Sequence, residues 1–178
     1  MDEKETGSVM KIVFLDIDGV VAIFPTFQKS WNYARKYKNS RKLSKFKRDE
    51  KQISRKVVKQ LNKLVMATGC KFVISSSWRY GTTQKKFKRL FRHKKFIGEI
   101  IGETPHILMN YETNSERAEE IKFWMKGNKN DIESFIIIDD DSFDIIPVFP
   151  ANYIQTEIDK GFQGEEMLQK AIEILNKE

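Results

Sequence analysis

An α/β fold of three layers, built on a central and mainly parallel sheet, follows from three features of the sequence. Short apolar runs of strand length alternate with longer segments of helical periodicity, the pattern of right-handed βαβ crossovers. Three of those runs, KIVFLDID (11–18), KFVIS (71–75) and FIIIDDD (135–141), end in acid or serine. The chain has 178 residues, 40% of them apolar and 12% aromatic, enough for one well-filled core with at most a small insertion.

In chain order, residues 11–18 predict a buried strand, because four apolar residues, Ile12 to Leu15, lead straight into Asp16. Residues 52–68 carry Ile53, Val57, Leu61, Leu64 and Val65 at helical spacing, and Gly69 is a natural C-terminal stop. Residues 71–75 predict a second buried strand. Phe87, Leu90 and Phe91 predict a helix over 84–94, and residues 97–101 a short third strand broken by Gly102 and Pro105. Thr113-x-x-Glu116 reads as a capping box that opens a helix with Ala118, Ile121 and Met125 on one face. Residues 135–138 predict the strongest strand and 152–157 the last one. After Gly164 comes a helix with Met167, Leu168, Ala171, Ile172 and Leu175 on its apolar side. Residues 9–178 are thus expected to form one domain, preceded by a polar tail over 1–8.

Composition narrows the class. No apolar run approaches the roughly 20 residues of a membrane span, and the polar, acidic N-terminus has no basic stretch followed by an apolar one, as a secretory signal would. A lone cysteine, Cys70, excludes an internal disulfide and suits a small buried position at a strand start. A soluble, cytoplasmic protein is expected. The net charge of +7 is unevenly spread: residues 29–59 hold 13 Lys/Arg against Asp49 and Glu50, residues 85–95 hold seven and no acid, and the remainder is acidic. A basic lobe on an acidic body suits a polyanionic or phosphorylated partner, although charge runs are also common as plain solvated helix faces.

Ligands of such sheets bind beyond the carboxyl ends of the strands. The residues leaving them are Asp16 and Asp18, Ser75 to Ser77, and Asp139 to Asp144. In Asp16-Ile17-Asp18-Gly19-Val20 two carboxylates at i and i+2 can face one way where Gly19 turns the chain. Asp139, Asp140 and Asp144 join them at the same sheet edge. Five uncompensated acids there would be costly, which argues for a hard cation such as magnesium and for a nearby basic side chain. A calcium loop is the competing reading of such a cluster, but its glycine and closing glutamate are missing. Trp78 could stack on a base, yet a tryptophan just after a strand is more often core. His93 and His106 are isolated, and neither reads as catalytic.

Asp16-x-Asp18-Gly19 after a strand, serine after the second strand, a basic residue opening a later helix, and Asp139-Asp140 after the next strand resemble the four motifs of the haloacid dehalogenase superfamily, in order and spacing. The resemblance covers roughly residues 11–175 and implies a Rossmann-like fold. Within that superfamily, ISSSWR (74–79), IIGETP (100–105), ERAEEIKFW (116–124) and IIIDDD (136–141) resemble the phosphatase-type domain of RNA-repair proteins and the phosphatase half of phage polynucleotide kinase–phosphatase.

The resemblance implies that Asp16 is a nucleophile phosphorylated in turnover and Asp18 the general acid and base. It implies magnesium on the Asp16 carboxylate, the Asp18 backbone carbonyl and Asp140, with Asp139 and Asp144 in support. Ser75, or alternatively Ser76, would donate to the phosphoryl group. Arg117 would be the basic residue, with Lys122 as the fallback. Arg79 is expected to grip a substrate phosphate. The basic segment 22–50 is expected to be a small cap inserted after the first strand, leaving the site open to large substrates. A nucleic-acid end such as a 3′-phosphate of DNA or RNA, held by residues 29–59 and 85–95, is the expected substrate, with a nucleotide as the near variant. The rival readings are a small-metabolite phosphatase and an inactive nucleic-acid-binding module.

Overall fold

A computed structural model describes residues 9–38, 44–107, 116–141 and 143–177. Five strands form one sheet: β1 (Met10–Leu15), β2 (Lys71–Ile74), β3 (Ile100–Glu103), β4 (Ile132–Asp139) and β5 (Tyr153–Gln155). Their order is β3-β2-β1-β4-β5, and every pairing is parallel. The helices are α1 (Phe24–Lys36), α2 (Lys45–Gln52), α3 (Arg55–Thr68), α4 (Gln84–His93), α5 (Glu116–Gly127) and α6 (Glu165–Leu175).

Side-chain alternation along the strands assigns the two faces. Val13, Leu15, Phe72, Ile74, Ile136 and Ile138 pack with Leu61, Leu64, Phe87, Phe91, Leu168 and Leu175, under α3, α4 and α6. Ile12, Phe14, Val73 and Ile137 face the other way, onto Ile121, Trp124 and Ile145. Both faces of the central strands are therefore covered, which is why they read as continuous apolar runs rather than alternating ones. No described helix is long and apolar enough to cross a membrane.

Several boundaries shift for local reasons. The third helix starts at Arg55, not at residue 52, because the Ser54 hydroxyl caps the Val57 N–H at 3.4 Å and Ile53 bridges Ala22 in extended conformation. It ends as expected at Gly69, whose φ of +68° is the left-handed cap. The third strand runs through Gly102 instead of stopping there, since pairing to β2 begins only at Phe72↔Ile100. The Trp124 indole lies across Gly102, where a Cβ would come within 3.3 Å of its nitrogen. The capping box over 113–116 falls outside the described residues. Cys70 is buried, and burial pushes its thiol up to about 11.

Residues 22–50, in which the sequence reading placed no helix, contain α1 and most of α2. Thr26 locks the start of α1, accepting from the Ile23 N–H at 2.9 Å and donating back to its carbonyl at 2.7 Å. The Ser30 hydroxyl donates to the Arg48 carbonyl at 3.1 Å and ties α1 to α2. The buried carboxylate of Asp49 then joins α2 to α4 through Lys86 at 2.8 Å.

Candidate active site

The parallel register brings the strand tips level. Leu15 pairs with Ile74 on one side and Ile138 on the other. The ladder continues one residue further, with Asp16 N–H on the Ile138 carbonyl and Ser75 N–H on that of Leu15, each at 3.0 Å. Alternation then turns Asp16, Ser75 and Asp139 toward the face carrying α5. The carboxylates of Asp16, Asp139 and Asp140 offer oxygens that all lie within 4.8 Å of one another.

Arg117, in the first turn of α5, crosses to this cluster and donates to Asp16 at 3.0 Å and Asp139 at 2.9 Å. Burial works against its charge, but the Asp139 and Asp16 carboxylates outweigh that and raise its pKa above the usual arginine value. Asp144 sets its position by accepting from the Arg117 and Ala118 N–H groups at 2.7 and 3.1 Å. A carboxylate on these first-turn donors meets the positive end of the helix. Lys122 lies on the outer surface of α5, paired with Glu119 at 2.7 Å.

One arginine does not neutralise the cluster. Burial, then the Asp16 charge, pushes Asp139 up to about 8 despite Arg117 beside it. Asp140 is raised by the same two causes in the same order. Three hard oxygen donors this close are the donor chemistry that suits a divalent cation. Gly19 makes the convergence possible. Its φ is +68°, and a Cβ there would lie 2.1 Å from an Asp140 carboxylate oxygen, so the loop after β1 and the tip of β4 meet only at glycine.

Asp18 stands apart from the three. Its carboxylate accepts from the Trp78 indole N–H at 3.0 Å. Burial raises its pKa, the Trp78 bond opposes that, and Asp16 adds to the rise. Trp78 was expected in the core; it packs there in part, and its polar edge holds Asp18.

Ser75 is fully buried, and its hydroxyl finds no hydrogen-bond partner among the described residues. Buried hydroxyls are ordinarily satisfied, so this one suits a ligand oxygen. The Ser76 hydroxyl is already used, accepting from the Trp78 N–H at 3.4 Å.

Arg79, named above as a candidate phosphate contact, is engaged within the protein. It is 9% exposed, ion-paired with Glu120 of α5, and donates to the Ser75 and Ser76 carbonyls at 3.0 and 2.7 Å. The guanidinium braces the loop after β2 against α5. Glu120 was missed in the sequence, though its place three residues after Arg117 puts it on the same side of the helix.

A large cleft lies elsewhere. It measures about 1530 Å³, lies between α1, α2 and the start of α3, and is lined by Lys29, Lys36, Lys47, Lys51, Arg55 and Arg89 among others. The two basic stretches of sequence are neighbours there, joined by Lys94–Glu50 at 2.7 Å and by Arg89 over the Phe46 ring at 4.2 Å. Of the histidines, His93 packs on Phe46 and His106 on Tyr80.

The family described as the HAD domain in Swiss Army Knife RNA repair proteins matches residues 12–167. No curated protein matches the sequence. Among solved structures, a hydrolase of the haloacid dehalogenase-like family from Streptococcus pneumoniae aligns at TM-score 0.44 and 17% identity, covering 92% of this chain and 90% of that one. With the family profile spanning most of the chain, the protein belongs to the family of HAD domains found in Swiss Army Knife RNA repair proteins.

Proposed function

We propose that this chain is a magnesium-dependent phosphomonoesterase that works through an aspartyl-phosphate on Asp16. The observation that carries the reading is the convergence of Asp16, Asp139 and Asp140 within 4.8 Å, with Arg117 as their cationic partner.

In the first half-reaction an Asp16 carboxylate oxygen bonds to phosphorus as the bond to the leaving oxygen breaks, and Asp18 gives that oxygen its proton. In the second, water attacks the same phosphorus, its proton passes to Asp18, and Asp16 is released with inorganic phosphate. The Ser75 hydroxyl donates to a phosphoryl oxygen. Arg117 and Asp139 hold Asp16 in place, and Asp144 holds Arg117. The Asp16 and Asp140 carboxylates and the Asp18 backbone carbonyl would hold magnesium, which when bound neutralises charge on the phosphoryl oxygens.

The substrate in this reading is a phosphate on a nucleic-acid end or a nucleotide. The basic cleft and the RNA-repair family support it. Residues 22–50 act as the small cap beside an open site. The test is turnover of an aryl phosphate and a 3′-phosphorylated oligonucleotide, with and without magnesium, over a salt series. Oligonucleotide KM should rise steeply with salt, by roughly 0.7 log units per log of salt for each single-strand phosphate contact, and the aryl phosphate should show a shallow slope. Equal slopes would reduce the lobe to a solvated surface and favour a small-metabolite substrate. No magnesium-dependent turnover of either would leave an inactive binding module.

Metal removal has a signed pH dependence. Folded Asp139 keeps its proton up to about 8, against a reference value of 3.8. The folded state thus binds more protons across that window, so the metal-free protein loses stability as pH rises through it. A bound cation offsets the repulsion, so the gain in Tm on adding magnesium should be larger near about pH 9 than near about pH 6. Thermal melts with magnesium or a chelator at both pH values check this, and Asp140→Ala should flatten the difference. An equal gain at both values, or an unchanged magnesium titration in Asp140→Ala, would mean that other groups hold the ion.

A further inference from the structure

A groove of about 640 Å³ opens beside Asp18, lined by Phe27, Trp31, Lys45, Gln52 and Trp78 among others. We propose that Trp31 is the stacking platform for a nucleobase carried by the leaving group, seated in this groove; the inference rests on the phosphatase reading above.

The acid that protonates the leaving oxygen dictates where the leaving group lies. Asp18 is that acid, and it lines this groove but not the basic cleft. The leaving group therefore extends along α1 and the Ser77–Gly81 turn. Trp78 is already committed, its indole nitrogen on Asp18 and its ring packed partly against the core. Trp31 has no such commitment to the core. It is 64% exposed, one helical turn after the half-buried Phe27, so the two rings share the groove side of α1. An indole left open at the mouth of a catalytic groove presents a rigid aromatic face at low entropic cost.

Size and charge narrow the occupant. The volume falls in the range of small-ligand pockets, and a triose or glycerol leaving group would leave most of it empty. The basic member of the lining is Lys45, whose ammonium lies 3.7 Å from Asp49 and 3.4 Å from the Gly81 carbonyl. With Asp18 and Asp49 beside Lys45 in its lining, the groove carries no net positive charge and suits a neutral ring and sugar better than a second phosphate. The basic cleft is lined by other residues of α1 and α2, where a following phosphodiester backbone would find its counter-charge. Base stacking on an aromatic side chain also tolerates any base identity, as an enzyme acting on varied ends requires.

The experiment compares adenosine 3′-monophosphate and adenosine 5′-monophosphate with ribose 5-phosphate, in the wild type, Trp31→Ala and Trp31→Phe. Trp31→Ala should lower the ratio of kcat/KM for nucleotide over ribose phosphate by about tenfold, mostly through KM, and Trp31→Phe should recover most of it. The position that suffers more, 3′ or 5′, identifies the natural phosphate. An unchanged ratio in Trp31→Ala would overturn the proposal, as would a loss that Trp31→Phe does not restore. Calorimetric binding of the better nucleotide to Asp16→Asn, with and without Trp31→Ala, separates this inference from the one beneath it. Trp31-dependent binding without any turnover in the wild type would uphold the platform and sink the phosphatase reading. Binding that ignores Trp31 would sink the platform.

Discussion

Asp16→Asn is expected to lower turnover on the order of 10⁴-fold or more, the scale seen when a covalent nucleophile is removed. The amide can neither bond to phosphorus as an anion nor serve magnesium as a charged ligand. The fold should persist, because Asp16 sits in an over-charged cluster: it raises the pKa of Asp139 and Asp140, and its loss relieves that repulsion while Arg117 keeps Asp139. In the absence of metal the variant should therefore melt no lower than the wild type. Retained phosphate release at an unchanged melting temperature would eliminate the covalent mechanism. Asp18→Asn provides the companion measurement. Its loss should be about 10²–10⁴-fold for alkyl phosphates, whose leaving oxygen needs a proton, and smaller for aryl phosphates in the first half-reaction. Equal slowing of that step for both would remove Asp18 from the acid's role.

Glu120→Ala is expected to be the most destabilising single change at the site that touches no reacting atom. It leaves the Arg79 guanidinium, 4% exposed at the side chain, buried without its carboxylate partner. Breaking such a pair typically costs about 3–5 kcal/mol, and for a domain of this size each kcal/mol moves Tm by roughly 2–4 °C. A fall of about 10 °C is the expected reading. The damage should also reach the loop after β2, since Arg79 holds the Ser75 and Ser76 carbonyls. The double variant Arg79→Met/Glu120→Leu should recover much of the loss, because an apolar pair of similar volume carries no desolvation cost. A Glu120→Ala protein that melts within a degree or two of the wild type would show that the brace is not structural.

The sequence by itself determined which residues stand at the strand tips. A short apolar run that ends in Asp16, Ser75 or Asp139 has the profile of a buried strand delivering that residue to a sheet edge, and parallel crossovers then bring all such edges to one side. Helix α3 and its stop at Gly69 were equally legible, since a periodic face and a left-handed cap are local properties. Helices α1 and α2 were not, because their apolar faces are sparse and charged residues dominate them, so their packing on each other and on α4 decides their form. Two partnerships within the site were beyond reach: Trp78 meets Asp18 across 60 positions, and Arg79 meets Glu120 across 41. Arg117, which meets Asp16 across 101 positions, was named only through the family resemblance. Periodicity reports which face of its own element a residue occupies. Whether an arginine spends its charge on a carboxylate of another element or keeps it for a ligand depends on the desolvation and spacing that only the packed chain creates.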